Sequence, residues 1–260
     1  MSSAFLDLHV PGKPLLMPNA WDVGSAKILV SLGYSAVATT SSGFAATLGR
    51  FDGDVHREEA LTHASELAQA VSVPVSADFE NGFADEPRRV ADLVAMAHDV
   101  GLAGCSIEDH HPRADDPIYD AGLAKERVAA AAEASGDLVL TARCENYLHG
   151  RRDLDDTLAR LQAYQEAGAD VLFAPGLTDI DEIKTVCAEV DRPVNVLLLP
   201  GGPKPDELAE AGVARISVGG SFAWNALTGL VQAARELLDG EVDFLERGKE
   251  GQAVIDDAFA

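Results

Sequence analysis

The chain has 260 residues, the length of one (β/α)8 barrel, and 47% of them are hydrophobic, which excludes a disordered polymer and allows a large core. Its formal charge of -23, from 43 acidic against 20 basic residues, excludes a nucleic-acid phosphate backbone as partner. The three scattered cysteines, Cys105, Cys144 and Cys187, form neither a disulfide framework nor a zinc site and fit a reducing cytoplasm.

The start, Met1-Ser2-Ser3-Ala4-Phe5-Leu6-Asp7, has no basic leader before an apolar run, and no stretch is apolar for long enough to span a membrane. Apolar β-forming runs then alternate with amphipathic segments eight times, at 15–18, 36–40, 75–79, 104–108, 138–143, 171–174, 194–199 and 215–218. Eight such units predict an α/β fold, a (β/α)8 TIM barrel, occupying residues 1–260 as a single domain. Between them, Ala26, Ile28, Leu29 and Leu32, and later Leu158, Leu161, Ala163 and Tyr164, recur at helical spacing. Gly33, Gly101, Gly168 and Gly212 each precede a strand and predict left-handed helix ends. The connections at 41–56 and 110–120 are longer than a strand-to-helix turn needs and predict lid or binding loops. After the eighth strand, 221–238 reads as a long helix exposing Phe222, Trp224, Leu227, Leu230 and Val231 to a partner surface, with 239–260 a capping or interface extension.

Acidic residues stand at successive strand ends: Ser76-Ala77-Asp78-Phe79-Glu80-Asn81-Gly82, Cys105-Ser106-Ile107-Glu108-Asp109 and Thr141-Ala142-Arg143-Cys144-Glu145. In a parallel barrel these ends converge on one mouth. Asp78, Glu80 and Glu108 are hard oxygen donors suited to Mg2+, with Mn2+ as an alternative. The spacing of Asp78 and Glu80 places both on one face of an extended segment. Arg143 offers a planar fork for a carboxylate or an enolate oxygen, or a counter-charge for Glu108 or Glu145. Cys144 follows it and points the opposite way, into the packing. A small anionic carboxylate is the expected substrate.

Asp78-Phe79-Glu80-Asn81-Gly82-Phe83, Ile107-Glu108-Asp109, Ala142-Arg143, and Ser42-Gly43 with Leu48-Gly49-Arg50-Phe51-Asp52 occur together and in order. On these motifs the chain resembles the isocitrate lyase and phosphoenolpyruvate mutase superfamily over nearly its whole length. The resemblance implies substrate binding by Arg143, a backbone anion cradle at Ser42, Gly43 and Phe44, a catalytic Asp52, and a substrate contact at Asn195. It also implies a C-terminal helix swapped between subunits in a homo-oligomer, a dimer or tetramer.

The loop Asp109-His110-His111-Pro112-Arg113-Ala114-Asp115-Asp116-Pro117-Ile118-Tyr119-Asp120 departs from the superfamily. It lacks the Cys-Gly-His segment of the isocitrate-cleaving branches and the lysine, threonine and asparagine of the phosphonopyruvate branches. Arg113 replaces that charge only in part, while Asp115 and Asp116 oppose a phosphonate dianion. His110 and His111 are the candidate proton carriers, His110 being assigned as catalytic. Pro175 and Ala84 stand where relatives carry glutamate and glycine. The expected activity is a Mg2+-dependent lyase acting on a small 2-oxo or 2-hydroxy carboxylate, by carbon-carbon cleavage or decarboxylation through a pyruvate-like enolate. Phosphonopyruvate mutase or hydrolase chemistry, and a non-catalytic metabolite-binding barrel, are the alternatives.

Overall fold

Each apolar run lies between a helix end and a polar turn, and the runs pair side by side in parallel. The computed structural model describes residues 2–112 and 115–260, so Arg113 falls outside the described residues. The strands are β1 (Leu15–Leu16), β2 (Asn19–Ala20), β3 (Val37–Thr39), β4 (Val75–Asp78), β5 (Gly104–Glu108), β6 (Val139–Arg143), β7 (Val171–Phe173), β8 (Val194–Leu197) and β9 (Arg215–Ser217). The helices are α1 (Ser2–Leu6), α2 (Val23–Ser31), α3 (Ser41–Thr47), α4 (Arg57–Ala70), α5 (Pro87–Asp99), α6 (Ala121–Ala134), α7 (Leu154–Glu166), α8 (Ile180–Glu189), α9 (Pro205–Glu210), α10 (Ser221–Leu238) and α11 (Phe244–Ala258).

The sheet order is β1-β9-β8-β7-β6-β5-β4-β3-β2, with parallel pairing throughout. Its two ends are consecutive in the chain. The single first strand expected at 15–18 is two short pieces, because Pro18 has no N–H to continue a ladder. The Met17 N–H donates to Ile216 O at 2.8 Å on the β9 side, and Pro18 O accepts from the Ala38 N–H at 2.9 Å on the β3 side. One segment thus touches both edges and closes the (β/α)8 barrel.

The main core lies between barrel and helices, built on Leu67, Phe79, Leu93, Leu140, Leu161 and Leu172, each fully buried. A second cluster seals the amino end of the barrel, where Phe5 of α1 packs with Leu15, Met17, Val139 and Val171. Gly104 is required there: a Cβ would meet Val139 O at 2.7 Å and Phe5 Cε1 at 3.0 Å. The expected glycine helix ends are present, as at Gly168 (φ 106), where the Ala169 N–H reaches back to Tyr164 O at 3.0 Å.

The connection expected as an open loop at 41–56 begins as a helix. Thr40 caps α3 by accepting from the Gly43 N–H at 3.4 Å, which starts a turn that hydrophobic periodicity does not reveal. The long helix after the last strand is α10, as expected, though Phe222 is half-buried against the core rather than free. The tail forms α11, which packs on α2 with Lys27 Nζ 5.6 Å from the Phe259 ring. No described helix is long and apolar enough to cross a membrane.

Candidate active site

The strand register brings the acids and Arg143 together. Glu108, the last residue of β5, pairs directly with Arg143, the last residue of β6, and Asp78 ends β4 beside them. Arg143 Nη1 donates to Asp78 Oδ1 at 2.9 Å, Nη2 lies 3.0 Å from Glu108 Oε2, and Nε donates to Glu145 Oε1 at 2.9 Å. Burial opposes the charge on this guanidinium, but Glu145, Glu108 and Asp78 outweigh it and hold Arg143 protonated, well above its ordinary value. Burial raises the Glu108 carboxyl while Arg143 and His110 lower it, with a net downward shift. Burial pushes Glu145 up. The counter-charge role foreseen toward Glu108 or Glu145 accounts for two of these bonds, and the bond to Asp78 is additional.

Glu80 reaches the cluster by another route than strand alternation. β4 ends at Asp78, and Glu80 adopts φ 48, a left-handed conformation that costs a non-glycine residue about 1–2 kcal/mol. The extended-segment reading of Asp78 and Glu80 is therefore corrected. Strain is retained because the loop is tied from both sides: the Glu108 N–H donates to Glu80 O at 2.9 Å, and the Glu80 N–H donates to Asp78 Oδ1 at 3.4 Å. Beneath it Arg127 of α6, 1% exposed, donates to the carbonyls of Asn81, Ala84 and Asp85. Sequence reading missed Arg127, although an arginine among the alanines of an amphipathic helix was a visible anomaly. Burial first, then Asp78, Asp52 and Glu108, push the Glu80 carboxyl up to about 8. Asp52 sits on an exposed loop with its carboxyl turned inward, and burial of that carboxyl followed by the charges of Asp78 and Glu108 raises it also.

A cavity of about 190 Å³ opens at this end of the barrel, lined by Ser42, Asp52, Asp78, Arg143 and Asn195 among others. Asn195 donates from Nδ2 to Ser217 Oγ at 3.0 Å and accepts from Arg215 Nε at 3.0 Å. The anion cradle assigned to Ser42, Gly43 and Phe44 is only partly present. Ser42 reaches the cavity, but the Gly43 N–H is taken by the Thr40 hydroxyl and the Phe44 N–H donates to Thr40 O at 3.0 Å. Gly43 is needed for packing, since a Cβ would fall 2.6 Å from Thr40 Cγ2.

His110 lies beside the acid cluster rather than in the cavity lining. Its Nδ1 is 3.5 Å from Glu108 Oε1, and its ring stacks on His149 at 4.0 Å. His149, not foreseen from sequence, lies 4.0 Å from Glu145 through Nε2. His111 sits apart, 4.8 Å from the Tyr119 ring. Cys144 is buried as expected.

The donor set has the chemistry of a hard divalent cation: the carboxylates of Asp78 and Glu108 meet one guanidinium, and burial, then the neighbouring carboxylates, raise Glu80 and Asp52. Among the described residues, however, no three His, Cys, Asp or Glu side chains converge as a ready set of metal ligands, because Asp78 and Glu108 are turned to Arg143. Such a site suits an ion that keeps several waters and takes few direct carboxylates, as Mg2+ does.

A closed parallel barrel with acids and an arginine at the strand ends defines an enzyme of the α/β-barrel class. The family profile described as phosphoenolpyruvate phosphomutase matches residues 5–238, and the chain belongs to that family, within the isocitrate lyase and phosphoenolpyruvate mutase superfamily of lyases and mutases. A crystal structure of a Burkholderia cenocepacia J2315 protein, named as a candidate lyase/mutase, is 48% identical, with TM-score 0.94, covering 100% of this chain and 96% of that one. An uncharacterized Mycobacterium tuberculosis protein is 36% identical over 92% of this chain and 90% of its own length. The chloroplastic carboxyvinyl-carboxyphosphonate phosphorylmutase of Arabidopsis thaliana is 31% identical over 86% of this chain and 69% of its own.

Proposed function

We propose that the cavity binds a small 2-oxo or 2-hydroxy carboxylate with Mg2+, or Mn2+, and cleaves a bond at its C3 through a pyruvate-like enolate, by carbon-carbon cleavage or decarboxylation. The observation that carries this reading is the surplus of carboxylate at the mouth: Asp78, Glu108 and Glu145 meet Arg143, Asp52 and Glu80 lie near enough to feel their charge, and Glu80 is pushed up to about 8. Such a surplus is costly unless a cation completes it. Asp78, Glu80 and Glu108 would hold that cation, which when bound would supply positive charge against a developing enolate oxygen.

The remaining work belongs to the chain. Arg143 aligns Asp78 and Glu108 and, against burial, lowers the carboxyl of Glu108. Ser42 and Asn195 face the cavity and orient the substrate carboxylate, and Asp52 closes the rim. His110, 3.5 Å from Glu108, is the proton carrier nearest the acids. The apolar face of α10 supports a homo-oligomer, a dimer or tetramer, in which that helix docks on a neighbouring copy. The free thiols Cys105, Cys144 and Cys187 suit a reducing cytoplasm.

A screen of malate-like, oxaloacetate-like and phosphonate acids with Mg2+ tests the reading. Turnover to a 2-oxo acid with release of a carboxylate or of carbon dioxide, lost on chelation and in Arg143→Ala, supports it; full kcat/KM in Arg143→Ala overturns it. The name of the Arabidopsis relative favours phosphonate chemistry as the second reading, and release of inorganic phosphate from phosphonopyruvate with no turnover of the other acids would establish that one instead. Binding of these acids with no turnover of any points to the metabolite-binding barrel.

A further inference from the structure

The deep end of the same cavity is lined by a second guanidinium, Arg215, the first residue of β9. It is 3% exposed. Its bonds go to neutral groups: Nε donates to Asn195 Oδ1 at 3.0 Å, Nη2 to Thr141 Oγ1 at 3.0 Å, and Nη1 to His9 Nε2 at 3.2 Å. His9 is fixed as a neutral acceptor, since its Nδ1 donates to Phe5 O at 3.0 Å and burial, then Arg215, push the imidazole down to about 3. Among the described residues no carboxylate pairs with Arg215, whereas three meet Arg143.

A guanidinium has five N–H donors, and each arginine makes three bonds, one from each nitrogen, so each keeps two. The two differ in charge balance: three carboxylates meet Arg143, and among the described residues none meets Arg215. Burial and the nearby Arg143 push Arg215 down to about 9, which leaves it charged at neutral pH. One cavity thus has excess negative charge at its mouth and an uncompensated positive charge at its floor. Neither Asn195 nor Thr141 nor neutral His9 can supply the missing charge. A buried cation in this position is stabilised by a carboxylate delivered from the cavity, and the bidentate fit of guanidinium to carboxylate makes that the matching ligand.

We propose that Arg215 receives the distal carboxylate of a short-chain diacid whose other end lies at the acid cluster, so that Arg215 sets the preference for a dicarboxylate over a monocarboxylate. This rests on reading the cavity as a carboxylate-processing site. Calorimetric titration of the whole protein in Mg2+ with matched pairs tests it: malate against 2-hydroxybutyrate, and 2-oxoglutarate against 2-oxovalerate, each pair differing in a terminal carboxylate against methyl. The wild type is expected to prefer the diacid of at least one pair by about tenfold or more. Arg215→Gln, which keeps amide donors but no charge, abolishes the preference by weakening the diacid more than the monoacid, while Arg215→Lys keeps part of it. Equal affinities within both pairs, no binding of either diacid, or an intact preference in Arg215→Gln each overturns the assignment.

If Arg215→Gln does not fold, a crystal structure of the wild type with a bound diacid decides: a distal carboxylate beyond about 4 Å from the guanidinium overturns the proposal. Failure of the lyase reading is separable. Diacid preference that depends on Arg215, with no turnover of any acid, leaves Arg215 standing and removes the lyase. Turnover with a diacid advantage that Arg215→Gln preserves does the reverse.

Discussion

Arg143 Nη1 lies 2.9 Å from Asp78 Oδ1, and the same side chain, 15% exposed, also holds Glu108 and Glu145. Removing it strands three carboxylates in a poorly solvated mouth. Arg143→Ala should lower the unfolding free energy by about 3–5 kcal/mol at neutral pH, the range for breaking a buried ion pair from one side. Urea denaturation in chelator measures this. A loss below about 1 kcal/mol would mean that water already screens the cluster.

Glu80 gives the pH dependence its sign. Its carboxyl is raised from the usual 4.5 to about 8 in the folded protein, so between those values the folded state binds a proton that the unfolded state has released. Stability from this group is full below about 4.5 and is lost as pH rises toward 8. Glu80→Gln should flatten that slope and be more stable than wild type at pH 8 by about 2–4 kcal/mol in chelator. Thermal melts at pH 5, 6.5 and 8 test it, and parallel slopes for the two proteins would refute it.

How far the sequence carried this reading depended on which interactions are local. β3 to β9 were legible because short apolar runs bounded by helical segments and turn residues have period and boundary together. The barrel-closing break was not, since Pro18 acts through two strands distant in sequence. Glu80 was placed on a strand face by alternation, although Asn81-Gly82 immediately after it marks a turn and Gly82 adopts φ 74. Asp78, Glu108 and Arg143 could be named because strand ends converge, and Asn195 only through the family resemblance, but the partners of Arg143 are set by long-range geometry. Arg215 was passed over as part of an apolar run. In Ala214-Arg215-Ile216-Ser217 the charge occupies an inward-facing position, and only the barrel shows that no acid among the described residues pairs with it.

Gly43 separates packing from anion binding. Its N–H donates to Thr40, and an added Cβ would lie 2.6 Å from Thr40 Cγ2 and 3.0 Å from Trp21 Cβ. Overpacking of this kind costs about 1–3 kcal/mol. Gly43→Ala should therefore lower Tm, and where it folds, its affinity for oxalate in Mg2+ should stay within about threefold of wild type. A large loss of oxalate affinity with unchanged Tm would restore Gly43 to the anion cradle.

Leu230 lies on the face of α10 that the monomer leaves open. It is 64% exposed, and Trp224, Leu227 and Val231, three or four residues apart along the same helix, are 42–46% exposed. Of the eighteen residues of α10 only Ala223 is buried, so packing within one copy does not account for an apolar helix of this length. Burial of a leucine side chain contributes about 1.5–3 kcal/mol, and a symmetric contact counts each substitution twice. The wild type should be a dimer or tetramer by light scattering at micromolar concentration, with a Tm that rises with protein concentration. Leu230→Glu with Leu227→Glu should shift it toward monomer and remove that concentration dependence. A wild type that is monomeric with a concentration-independent Tm would sink the docking role of α10 and leave its apolar face to some other occupant.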